Sequence, residues 1–134
     1  MKYLLDANAC IGLVNGTSPK LARALGRRPP EDVAVCSIVK AELYFGAAKS
    51  RHPGRSRTAQ DAFFGRFLVS YAFDDTAADA YATTRAALER VGTPIGPNDL
   101  LIASIALVND VILVTHNVRE LSRVPGLRFD DWEA

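Results

Sequence analysis

Asp99-Leu100-Leu101-Ile102-Ala103-Ser104-Ile105-Ala106-Leu107-Val108-Asn109-Asp110-Val111-Ile112-Leu113-Val114-Thr115 is the stretch that decides the fold. Asp99 to Val108 reads as an apolar helix capped by Asn98, and Val111 to Thr115 as a buried strand. Downstream, Asn117 to Leu121 reads as a short helix and Leu127 to Phe129 as a last strand. Upstream, Gly92-Thr93-Pro94-Ile95-Gly96-Pro97 is a turn-rich loop, preceded by an alanine-rich helix from Thr76 to Arg90. Ser70 to Phe73 reads as a strand. A basic helix resumes after Pro53-Gly54 and runs to about Leu68. Before that break, Ser37 caps a helix carrying Val39, Glu42, Leu43 and Gly46, and Val33 to Cys36 reads as a strand. Nearest the N-terminus, a strand over Lys2 to Leu5 ends at Asp6. Helical segments follow over Ala9 to Val14 and from Thr17-Ser18-Pro19 to Leu25. Strands alternate with helices throughout, with no repeat and no linker. The expected architecture is one α/β domain over residues 1–134, its central, mostly parallel sheet flanked by helices on both faces.

The chain has 134 residues, the size of one compact domain. Hydrophobic residues make up 49% and charged residues 23%, which excludes a disordered chain. The longest apolar run, Leu100 to Val108, is far shorter than the ~20 residues of a membrane span. Met1 to Leu5 runs straight into Asp6 and Asn8, without the apolar core of an export signal. Cys10 and Cys36 are too few for a disulfide scaffold and have no metal-type spacing, so they read as buried free thiols. The expectation is a soluble cytoplasmic protein. A formal net charge of +1 hides an asymmetry. Residues 17–66 hold ten basic and four acidic side chains; the remainder holds six basic and eleven acidic. One half suits a polyanion and the other concentrates carboxylates.

In open parallel sheets, ligands bind beyond the carboxyl ends of the strands. Asp6 ends the first strand, and Asn117 lies just past the strand ending at Thr115. Glu42 sits one to two turns into the helix after the second strand, and Asp99 opens the helix after the turn-rich loop. Taken singly, each has an ordinary explanation, such as a cap, a turn or a favourable helix-dipole position. Together they converge on one edge. Glu42 lies among Val39, Leu43 and Phe45, and Asp99 directly precedes Leu100-Leu101-Ile102-Ala103. Carboxylates placed against a core repel one another unless a cation joins them. Hard divalent ions take oxygen ligands, and Mg²⁺ commonly binds substrate phosphate as well.

Tyr3-Leu4-Leu5-Asp6-Ala7-Asn8 resembles the opening of PIN-domain ribonucleases. Ser37-Ile38-Val39-Lys40-Ala41-Glu42-Leu43 with Gly46 resembles their second motif, and Pro97-Asn98-Asp99-Leu100-Leu101-Ile102-Ala103 their third. Leu113-Val114-Thr115-His116-Asn117-Val118-Arg119-Glu120-Leu121 resembles the fourth. In order and spacing the chain resembles the VapC toxins of bacterial type II toxin–antitoxin pairs. The resemblance implies an endoribonuclease dependent on Mg²⁺, with Mn²⁺ as substitute, cutting structured RNA such as tRNA or rRNA. It implies Asp6, Glu42 and Asp99 as the acidic, metal-holding triad. Many relatives carry aspartate where this chain has Asn117, so Glu120, one helical turn on, is the candidate for the missing carboxylate. Relatives also commonly carry a hydroxyl at the position of Ala7. The resemblance further implies a homodimer and a VapB-type antitoxin that places a segment in the acidic groove.

Asn8, Thr115, Arg55 and Arg57 are the candidate substrate contacts. Lys49, Arg51, Arg55, Arg57 and Arg66 read either as a phosphate-contacting rim or as a solvated helix face. Phe63, Phe64 and Phe67 read as core or partner contacts, and Trp132 as packing the C-terminal tail. His52 reads as solvated; His116 neighbours Asn117 and is a further candidate for touching substrate. Phosphotransferases that form an aspartyl-phosphate want a second acid two residues after the first, where this chain has Asn8. GxxxxGK[ST], GxGxxG and HExxH are absent. The competing reading is a non-catalytic PIN module that binds RNA or protein, its metal site weakened at Asn117. Glu120 discriminates: pointing into the acidic cluster it completes the site, and pointing to solvent it favours the binding module.

Overall fold

A computed structural model of the chain describes residues 2–134; Met1 lies outside them. In chain order the elements are β1 (Tyr3–Leu5), α1 (Ala7–Asn15), α2 (Pro19–Gly26) and, after a 3-10 turn at Pro30–Asp32, β2 (Val33–Cys36). They continue with α3 (Ser37–Ala48), α4 (Pro53–Phe64), β3 (Val69–Tyr71), α5 (Asp75–Arg90) and α6 (Pro97–Asn109). β4 (Ile112–Val114), α7 (Val118–Leu121) and β5 (Phe129–Asp130) complete the domain. The sheet runs β3-β2-β1-β4-β5, and every pairing in it is parallel.

The apolar strand sequences explain this arrangement. Every residue of β1, β2 and β4 is buried. Strands buried on both faces need helices over each. Among the helices, α1 packs with α2, α3 and α4, α5 packs with α6, and α3 also meets α6. From β1 the chain moves to β2 on one side and later returns to β4 on the other. The β1/β4 junction is therefore the topological switch point, where a crevice opens beyond the strand ends.

Two caps differ from expectation. Cys36, not Ser37, precedes the first helical turn of α3, because the strand passes into the helix with no intervening loop. The Ser37 hydroxyl instead accepts a hydrogen bond from the Phe73 N–H at 3.2 Å, tying the exit of β3 to α3. Gly96, not Asn98, precedes α6, with Pro97 at the first helical position, where its missing N–H costs nothing. That releases the Asn98 side chain for another partner. α4 begins at Pro53 itself and ends at Phe64, four residues short of Leu68. Phe63 and Phe64 are buried and Phe67 packs against them, so these rings belong to the core. Trp132 is buried edge-on against Tyr3 at 5.2 Å, with the Arg28 guanidinium 4.2 Å from its centroid. This anchors the C-terminal tail. Cys10 and Cys36 are buried free thiols, and burial pushes both upward from the ordinary thiol range, which makes them inert. No helix among the described residues is long and apolar enough to cross a membrane.

Candidate active site

Asp6 is the first residue beyond β1. Its N–H donates to the Val114 carbonyl at 3.1 Å, extending the β1/β4 pairing into the crevice. Its side chain caps α1, accepting from the Ala9 N–H at 2.8 Å, and also receives the Thr115 hydroxyl. One carboxylate thus closes a strand, starts a helix and faces the switch point. Asp6 is only 5% exposed. Burial, reinforced by the charges of Asp99 and Glu133, pushes its pKa up to about 6 despite the two hydrogen bonds.

Glu42 projects from α3. Partial burial raises its pKa, a hydrogen bond from the Asn98 amide opposes the rise, and the charge of Asp99 adds to it. Asp99 sits in the first turn of α6 and acts on both Asp6 and Glu42. Asp6, Glu42 and Asp99, from β1, α3 and α6, therefore share one electrostatic field.

Asn117 joins this group to Glu120. Its Nδ2 donates to Asp99 Oδ2 at 3.1 Å and to Glu120 Oε2 at 2.7 Å. Glu120 therefore points into the acidic cluster. Asn117 itself is oriented from below: its N–H donates to Thr115 Oγ1 at 3.0 Å. Thr115 is thus the link between the two arms of the site, with Asp6 on one side and Asn117 on the other. At 2% exposure it cannot reach a substrate, so its expected role as a substrate contact is corrected to a positioning one. Asn98 is the residue that sequence reasoning assigned to the wrong task. Its place within Pro97-Asn98-Asp99 was the available signal, but whether it capped α6 decided whether its amide was free.

The donor set suits a hard divalent cation. The buried Asp6 and the part-buried Glu42, Asp99 and Glu120 present carboxylate oxygens as ligands. Asn8 is exposed at the second position of α1, beside the Asp6 cap.

A groove of about 500 Å³ runs from Glu42 between α1, α3 and α4, lined in part by Arg55, Ser50 and Ser56. The basic side chains of this region do not form one rim. Arg55 lines the groove. Arg57 lies 3.5 Å over the Tyr44 ring of α3 and donates to Asp61 of its own helix at 3.1 Å, with its side chain still half exposed. Lys49 sits 4.8 Å over Phe45, and Arg66 lines a separate hollow with Leu25, Arg28 and Phe67. His52 is exposed at the start of α4. His116 is also exposed, and its Nδ1 lies 2.9 Å from Asp131 Oδ2.

Comparison with known proteins agrees with the four sequence motifs. The PIN domain family matches residues 3–127. The tRNA(fMet)-specific endonuclease VapC of Salmonella typhimurium is 36% identical over 132 residues, covering 98% of each protein. Ribonuclease VapC2 of Rickettsia felis is 34% identical over 134 residues, covering 99% of each. The crystal structure of VapBC2 from Rickettsia felis, bound to a DNA fragment from their promoter, matches with a TM-score of 0.91 and 34% identity. That match covers 98% of this chain and 99% of the other. DNA-bound VapBC from Salmonella typhimurium also matches with a TM-score of 0.91 and 34% identity, over 98% of each chain. The chain belongs to the PIN-domain family, within its VapC group.

Proposed function

We propose that this chain is the toxin of a type II toxin–antitoxin pair, an endoribonuclease that hydrolyses phosphodiester bonds of structured RNA. The observation that carries this reading is the inward turn of Glu120. Asn117 holds it beside Asp99, and together with Asp6 and Glu42 this supports a complete acidic site. The competing reading, a binding module with its metal site weakened at Asn117, would gain from a Glu120 facing solvent; the Asn117–Glu120 hydrogen bond at 2.7 Å supports the catalytic reading instead.

Asp6, Glu42 and Asp99 are the residues we assign to hold Mg²⁺, with Mn²⁺ as substitute. When bound, such an ion would lower the pKa of a water and polarise the scissile phosphate. The chain's own residues do the positioning. Thr115 fixes the Asp6 carboxylate and the Asn117 backbone, and Asn117 fixes Asp99 relative to Glu120. The Asn98 amide holds Glu42. Asn8, exposed early in α1, and Arg55, lining the groove beside Glu42, are the residues we assign to contact RNA.

The name of the Salmonella relative supports tRNA as the first substrate class to test, ahead of rRNA. The VapBC complexes support a VapB-type antitoxin as partner, with a homodimer and a cytoplasmic setting as further elements of the same reading. The test is incubation of antitoxin-free protein with tRNA and rRNA in Mg²⁺ or Mn²⁺, beside EDTA and Asp99→Asn controls. Discrete fragments that vanish in both controls are the expected result.

A further inference from the structure

We propose that His116, Asp131 and Glu133 form a second cation site, beside the acidic one and suited to a borderline transition ion such as Zn²⁺ or Co²⁺. His116 lies in the turn after β4, and Asp131 and Glu133 lie in the tail after β5, so all three stand at the ligand-binding edge of the sheet. One ligand atom from each lies within 4.8 Å of the others, the only such trio of His, Cys, Asp or Glu among the described residues. Asp6, Glu42 and Asp99 do not close to that degree.

The His116–Asp131 separation fits a shared ion. His116 Nδ1 and Asp131 Oδ2 are 2.9 Å apart. Two ligands each about 2.0–2.2 Å from one ion stand roughly 2.9–3.5 Å apart at right-angled to tetrahedral geometry. These two ligand atoms could therefore meet one ion with little movement. The ligands are also steadied by groups outside the trio. Ser18, from the cap of α2, donates to Glu133 Oε1 at 3.0 Å, and buried Trp132 pins the tail between the two acids. Outer-shell contacts of this kind preset ligand direction.

The charge points the same way. The Asp131 side chain is only 17% exposed, and His116 is its only cationic-type partner. Neither Asp131 nor Glu133 pairs its carboxylate with a lysine or arginine among the described residues. Lys20 reaches only the Glu133 backbone oxygen, at 3.5 Å. An imidazole nitrogen and two carboxylates together form a mixed N/O donor set of the kind that holds divalent transition ions. The imidazole nitrogen selects against Mg²⁺, which takes oxygen ligands, and toward Zn²⁺ or Co²⁺. An ion here ties the C-terminal tail to the turn that carries Asn117.

The experiment is Co²⁺ titration of metal-stripped protein in excess Mg²⁺, read by visible absorption and by melting temperature. It is run on wild type, His116→Gln and Asp99→Asn, each checked for folding by circular dichroism. One Co²⁺ per chain with a d–d band and a raised melting temperature is expected in wild type and Asp99→Asn, with both signals lost in His116→Gln. The proposal is overturned if folded wild type binds no Co²⁺, or if His116→Gln binds it as well as wild type does. It is equally overturned if binding is lost in Asp99→Asn and kept in His116→Gln, which would put the ion in the acidic site. None of these readouts requires cleavage activity.

Discussion

The two arms of the acidic site are built differently. Asp6 is buried, capped onto α1 and hydrogen-bonded to Thr115. Asp99 and Glu120 are half-buried and held by the single amide of Asn117. The Asp6 arm is fixed by the fold and carries an electrostatic cost that only a cation or proton relieves. The Asn117 arm is fixed by one side chain and is exposed enough for water to screen it. A rigid anchor beside an adjustable arm suits a site that must hold an ion and also accept a bulky polyanion.

The largest expected effects separate the two arms by stability rather than activity. Asp6→Asn and Asp99→Asn should each reduce cleavage by more than about 10³-fold, since each removes charge at the reacting centre. Their effects on the folded chain should diverge. Asparagine still caps α1, so Asp6→Asn should raise the melting temperature of the metal-free protein at pH 7 by removing a buried charge. Asp99→Asn should leave it nearly unchanged. Equal shifts in thermal denaturation would break the distinction.

Next in size is the pH dependence of stability. Asp6 holds a proton more tightly folded than unfolded, its pKa rising from 3.8 to about 6. The folded chain therefore carries the extra proton between those values. Stability from this group is present below about pH 4 and is lost as pH rises through about 6, a change of roughly 3 kcal/mol at most. Mn²⁺ competes with that proton, so its stabilising effect should grow from pH 5 to pH 7.5. Saturation near 100 times the dissociation constant is worth about 2.7 kcal/mol. Melting curves with and without Mn²⁺ at the two pH values check the sign.

Asn117→Ala attacks the adjustable arm. Releasing Asp99 and Glu120 should lower kcat about 10- to 100-fold, the usual cost of losing a group that orients ligands. Thr115→Val cuts the link between the arms. It strips a donor from Asp6 and an acceptor from the Asn117 N–H, which should destabilise the chain by about 1–3 kcal/mol in urea denaturation. The smallest effect separates two arginines. Arg55→Ala should flatten the salt dependence of RNA binding, whereas Arg57→Ala, already engaged by Tyr44 and Asp61, should leave the slope alone.

The buried arm was legible in sequence because local rules govern it. An apolar run ending in aspartate marks a strand end, and strand alternation with helices places that end at the ligand edge. Asn117 and Glu120 are three residues apart, so their meeting on one face was also foreseeable. What sequence could not show depends on contacts between distant elements. Asn98 looked like a cap until Gly96 and Pro97 took the helix start and freed its amide for Glu42. Thr115 looked accessible because strand alternation alone does not say how deeply the last residue sits. The contact of Arg57 with Tyr44 was hidden because Tyr44 lies thirteen positions away on α3.

The central claim is that the Asp6, Glu42, Asp99, Asn117 and Glu120 edge cuts RNA. The most direct measurement is cleavage of total tRNA and rRNA by antitoxin-free protein with Mg²⁺ or Mn²⁺, with EDTA and with Asp99→Asn. Discrete fragments that disappear with EDTA and in the mutant are the predicted result. Intact RNA after incubation with folded, metal-supplied wild type, or fragments that persist in Asp99→Asn, would contradict the account.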